Sequence, residues 1–120
     1  MLPEDAVVLL VAEPRSLYIN RRVVVEDSYR LPLLLELAAG ATSPHELAER
    51  VTSLGVTHLL VNEGHMTWSA HLRGVDDYWD GGAPGARTTV QQFLTHSVDR
   101  VFQQGDVWIA RVDPDPAAPR

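Results

Sequence analysis

The segment SPHELAERVTSLGVTHLLV, Ser43 to Val61, admits few architectures. Ser43 stands at a helix N-cap, Pro44 at the first helical position and Glu46 at N3, which together make a capping box. Leu47, Val51 and Leu54 recur at helical spacing, with Glu46, Glu49 and Arg50 on the opposite side. Gly55 sits where a left-handed C-cap belongs. An apolar strand, Thr57 to Val61, follows at once. The run AVVLLVA, Ala6 to Ala12, is a second strand, apolar on both faces as a buried central strand must be. Strand, helix and strand in this order imply a parallel pair with a right-handed crossover.

The expected fold is therefore α/β. It is a layered, mostly parallel sheet of about four or five strands with flanking helices and a C-terminal β-hairpin. SLYIN and RRVVVED read as one or two further strands, and Leu33–Ala39 as a helix that begins at Pro32 and stops at Gly40. Glu63 to Leu72 is weakly helical, Asp76 to Ala86 is a loop by its Gly, Pro and Asp content, and Thr88 to His96 is helical. RVFQQGDVWIARV reads as two strands turning at Gln104-Gly105-Asp106. A chain of 120 residues suits one domain, expected over residues 1–113, with 114–120 a proline-rich disordered tail or linker.

Composition removes several classes of function. The net charge is −6, from 16 acidic and 10 basic side chains, which opposes non-specific nucleic-acid binding and docking on anionic lipid. Every basic residue is Arg, so a phosphate-loop lysine, a Schiff-base lysine and a Ser-Lys pair are excluded. No cysteine is present, which removes disulfides, thiolate metal sites and cysteine nucleophiles. The apolar runs fall short of the roughly 20 residues of a membrane span. Pro3, Glu4 and Asp5 stand where a signal peptide carries basic residues.

Specific sites are equally constrained. His45, His58, His65, His71 and His96 show no i, i+4 pair that would set two ligands on one helix face, so no metal is expected. His58 lies within a strand, where packing or a backbone hydrogen bond is its ordinary role. No Gly-x-Ser-x-Gly elbow and no Gly-x-Gly-x-x-Gly turn occurs, so neither catalytic residues nor a cofactor are assigned. GGAPG, Gly81 to Gly85, follows a polar loop rather than a strand and reads as a surface loop. Asp77, Tyr78 and Trp79 join carboxylate to aromatic faces, which suits sugar contact; equally, both rings can fold back onto the core. Most informative are the strand ends. If Ala6–Ala12 and Thr57–Val61 are parallel neighbours, Glu13 and Arg15 emerge beside Asn62, Glu63 and His65, where open α/β sheets bind ligands. The alternative is that these residues solvate a sheet edge.

Three stretches carry a family resemblance: LPEDAVVLLVAEPRSLYINRRVV, SPHELAERVTSLGVTHLLVNEG and VFQQGDVWIARVDP. They resemble the C-terminal soluble region of large bacterial membrane glycosyltransferases of the polyprenyl-phosphate-sugar-dependent class, related to protein mannosyltransferases. In that family a Leu-Pro-x-Asp-Ala start follows the last membrane helix, and a strand ending in Glu is followed by Arg and Tyr, here Glu13, Arg15 and Tyr18. The family's catalytic carboxylates lie in an extracytoplasmic loop between membrane helices, and that portion has no counterpart here. The resemblance implies a non-catalytic accessory domain on the extracytoplasmic face. It would support binding of a glycan, an acceptor or a polyprenyl-phosphate sugar, or brace the transmembrane portion of the same protein. Pro14 and the DDYWDGGAPG loop depart from the family pattern. From the residues alone, two further readings stand: a free-standing α/β protein binding a polar ligand near Glu13, Asn62 and Glu63, and an enzyme with an unfamiliar site.

Overall fold

A computed structural model describes residues 2–13, 21–25 and 31–113. The described elements are β1 (Val7–Val11), β2 (Arg22–Val25), α1 (Leu33–Ala38), α2 (Pro44–Ser53), β3 (His58–Asn62), α3 (Glu63–Arg73), α4 (Ala86–His96), β4 (Val98–Gln104) and β5 (Val107–Val112). The SLYIN stretch, Arg15, Tyr18 and the 114–120 tail lie outside the described residues.

The fold is α/β, and the sheet is mixed rather than mostly parallel. Among the described residues its five strands run in the order β2-β1-β3-β5-β4. β1 pairs in parallel with β2 and β3, whereas β5 is antiparallel to both β3 and β4. The hairpin expected at the C-terminus is present, with Gly105 at φ 60° in its turn. The hairpin joins the sheet through β5, which pairs antiparallel with β3 and makes the sheet mixed. Side-chain pattern explains the choice of strand. Trp108, Ile109 and Ala110 of β5 are buried on alternating faces, whereas β4 is exposed at every position after Val98. A strand apolar on both faces belongs inside a sheet, and the polar one forms its edge. A bulge between Arg100 and Phe102 further breaks the regularity of that edge.

Period-two alternation sorts the core into two layers. Leu9, Val11, Leu59, Val61, Trp108 and Ala110 join Leu34, Leu35, Leu47, Val51, Val90 and Phe93 of α1, α2 and α4. Val8, Leu10, Leu60 and Ile109 form the opposite layer. Each fully buried large side chain contributes about 1.5–3 kcal/mol through area removed from water.

The helix boundaries follow local chemistry. Ser43 Oγ accepts from the Glu46 N–H at 3.1 Å, but the Glu46 carboxylate reaches back to the N–H and hydroxyl of Thr42 rather than to Ser43. These bonds to the Thr42 backbone and hydroxyl hold its pKa below the usual carboxylate value, with Arg50 adding to them. Arg50 also donates to the carbonyls of Leu37 and Ala39, satisfying the end of α1 from the side of α2. α4 begins two residues before the expected Thr88, directly after Gly85 at φ 82°.

Candidate functional site at the carboxyl end of the sheet

Parallel pairing of β1 with β3 brings two strand ends together, as their apolar runs suggest. Leu10 is in register with Leu60 and Val11 with Val61, so the residues that follow share one edge. There the Asn62 amide donates to Glu13 Oε2 at 2.8 Å. Its other end accepts the His65 N–H at 3.2 Å and caps α3. One side chain thus joins the end of β1 to the start of the helix leaving β3. Glu13 is 9% exposed, and a carboxylate so enclosed needs such a donor.

Glu63, the first residue of α3, turns the other way. Its Oε1 accepts the Trp108 indole N–H at 2.6 Å, across from β5. Its backbone N–H donates to the Asp106 carbonyl at 2.8 Å, which clamps the hairpin turn against the helix. Gly64 allows this approach: a Cβ there would stand 2.9 Å from Asp106 Oδ2. Above the Trp108 ring lies the Arg100 guanidinium, 4.1 Å from the centroid.

Beside these groups is a shallow cleft of about 210 Å³, lined by Glu63, Met66, Trp79, Leu94, Arg100 and Trp108 among others. That volume is below the roughly 300–1,000 Å³ of a typical small-molecule pocket. The cleft can contact part of a ligand and has no room to enclose a drug-sized one.

The acidic-aromatic segment turns inward. Tyr78 and Trp79 are 6% and 8% exposed and meet edge to face, with centroids 4.7 Å apart. Neither ring offers an open stacking face on the loop, although Trp79 forms part of the cleft wall from within. The Tyr78 hydroxyl accepts the Ala12 N–H at 3.1 Å. Ala12 holds φ 59°, a left-handed conformation unusual for a residue with a Cβ, and this bond helps fix it immediately before Glu13. Asp77 accepts the Trp79 N–H and faces Arg87, so it too serves the loop.

Of the residues expected from sequence, Glu13, Asn62, Glu63 and His65 do converge, His65 through its backbone. Trp108, Arg100 and Asp106 were not expected. Their signal is the alternation in VWIARV, which becomes interpretable once that strand is known to dock on β3. Among the described residues, no group of three His, Asp or Glu side chains is close enough to hold a metal ion. No helix among them is long and apolar enough to cross a membrane. Comparison of the chain with protein-family models, curated proteins and solved structures gives no match.

Proposed function

We propose that this chain is a non-catalytic accessory domain of a membrane glycosyltransferase-like protein, acting on the extracytoplasmic face. In this reading the carboxyl end of its sheet contacts the hydroxyls of a glycan or acceptor, and the rest of the domain braces the transmembrane portion. The observation that carries the non-catalytic role is the commitment of the edge's polar groups to structure. Asn62 holds Glu13 and caps α3, and Glu63 holds Trp108. Carboxylates engaged in this way position strands rather than transfer protons.

The shallow cleft supports glycan contact over an enclosed substrate site. Its rim carboxylate, Glu63, accepts hydroxyl protons, and the Arg100 guanidinium over Trp108 can donate to hydroxyl oxygens. The cleft lining carries one carboxylate, Glu63, and one guanidinium, Arg100, so it has no net positive charge to favour the phosphate of a lipid carrier over a neutral sugar. A contact of this size implies millimolar affinity, about −4 kcal/mol.

Titration with methyl α-glucoside, and with a hexose 1-phosphate as the charged comparison, tests the reading. We expect saturable shifts of the Trp108 indole signal with the neutral sugar, weakened in Glu63→Ala. Absent shifts in both proteins would remove the glycan contact. Reading the coding sequence upstream of Met1 tests the other half: several spans of about 20 apolar residues support it. An in-frame stop directly upstream, with no such span, would leave the free-standing polar-ligand protein as the better account.

A further inference from the structure

The opposite end of the sheet holds a second and larger cavity. It measures about 380 Å³ and is lined by Thr52, Val56, Thr57, His58, Arg111 and Val112, together with Gly55. This volume lies within the range of small-molecule pockets. Register places its polar groups side by side. His58 of β3 is directly opposite Arg111 of β5, and Arg111 is opposite Asp99 of β4. Directly opposed residues on neighbouring strands project from the same face, with Cβ atoms about 5 Å apart.

His58 is the informative residue. It is 5% exposed, and its Nδ1 lies 2.8 Å from the Thr57 hydroxyl. Among the described residues, Nε2 on the other side of the ring has no hydrogen-bond partner, and His58 is one of the residues lining the cavity. Burial holds its pKa below the ordinary value, with Arg111 acting in the same direction and Asp5 opposing both. The ring is therefore neutral near pH 7, with a single proton. The Thr57 hydroxyl has two acceptors within reach, the Val7 carbonyl at 3.3 Å and His58 Nδ1 at 2.8 Å. In the tautomer in which it donates to the nearer Nδ1, the ring proton resides on Nε2 as a buried donor without an acceptor among the described residues, an unfavourable arrangement.

We propose that this cavity binds a small monocarboxylate with an apolar tail. One carboxylate oxygen accepts from His58 Nε2–H and the other from the Arg111 guanidinium, whose planar fork suits a carboxylate. The tail lies along Val56, Val112 and the Thr52 methyl. Arg111 is about half exposed and only loosely held by Asp99, at 3.6 Å, so it can turn to the ligand. Asp5 and Asp99 set the charge limit: a single negative charge is balanced by Arg111, whereas a dianion would be repelled by both acids.

The test is an NMR titration of the whole chain with hexanoate, using hexan-1-ol as the neutral match. We expect saturable shifts confined to Gly55, Val56, Thr57, His58 and Arg111, together with a shift of the His58 Nε2 ring signal. Hexan-1-ol should bind at least tenfold more weakly, as should hexanoate to Arg111→Gln, a half-exposed site whose change leaves the core intact. The Trp108 indole signal should stay still, which separates this cavity from the cleft at the other end. Equal binding of acid and alcohol, unaltered affinity in Arg111→Gln, or no saturable shift at His58 would each overturn the proposal.

Discussion

The two ends of one sheet treat polar side chains differently. At the carboxyl end, Asn62 uses both ends of its amide, and Glu63 closes onto Trp108. At the amino end, His58 is only 5% exposed, yet one ring nitrogen has no partner among the described residues. The residue types at the carboxyl end look more like chemistry, but their bonds hold strands and a helix together. The plainer pair, a strand histidine and a cross-strand arginine, leaves hydrogen-bonding capacity for a ligand. Residue type alone therefore misleads; what separates structure from function is which donors and acceptors the fold leaves unmatched.

The largest effect expected is at Asn62. Asn62→Ala removes a helix cap, worth about 1 kcal/mol, and strips the enclosed Glu13 carboxylate of a donor, worth about 1.5–3 kcal/mol. A loss of about 2–3 kcal/mol in urea unfolding is expected. Asn62→Asp keeps the cap but sets a second carboxylate against Glu13, so its deficit should shrink as the solution is acidified. A loss below about 0.5 kcal/mol in Asn62→Ala, typical of an ordinary surface change, would mean the carboxyl end is not held as described.

Next comes Thr57, whose hydroxyl accepts the Val7 N–H at 2.9 Å and contacts His58 Nδ1. Thr57→Val is close to it in shape and leaves those groups unmatched, which should cost about 1–2 kcal/mol. It should also free the ring proton of His58 to move between nitrogens, visible in the imidazole ¹⁵N spectrum.

Acid should separate the ends more gently. With its folded pKa below the ordinary 6.5, His58 takes up its proton in the unfolded chain first. Its effect is nil above that value, and stability falls as pH drops from 6.5 toward the lower folded value. His58→Leu should flatten this part of the profile. Glu46 acts at lower pH. Its stabilisation is complete above the ordinary value of 4.5 and disappears as pH falls through its lower folded value. Because the Glu46 side chain is about one-third exposed and screened by solvent, Glu46→Gln should change that second window only slightly.

Much of the carboxyl end was legible in sequence. The apolar runs ending at Ala12 and Val61 identify buried strands, and the capped helix before β3 makes their parallel pairing the natural arrangement. Adjacency of Glu13 and Asn62 follows from that pairing. The Glu63–Trp108 bond was not legible, because 45 residues separate its partners and their meeting depends on which hairpin strand docks on β3. The same long-range choice makes the sheet mixed and sets Arg111 opposite His58. Local pattern identifies a hairpin; only the competition to bury Trp108, Ile109 and Ala110 on two faces decides where it packs. Tyr78 and Trp79 illustrate a different limit. Their composition fits either a sugar-contacting loop or a core plug, and the Ala12 backbone, which tips the balance, lies 66 residues away.

Hydrogen exchange of ring N–H groups in the ligand-free chain compares the two ends most directly. Trp68, 55% exposed, supplies an internal standard for a freely exchanging indole. The Trp108 indole proton, held by Glu63, should resonate downfield and exchange far more slowly than that of Trp68. A His58 Nε2 proton, without an acceptor among the described residues, should lack any such downfield shift. An indole proton of Trp108 exchanging as fast as that of Trp68, or a His58 ring proton shifted as if strongly bonded, would contradict the division between a closed carboxyl end and an open amino end.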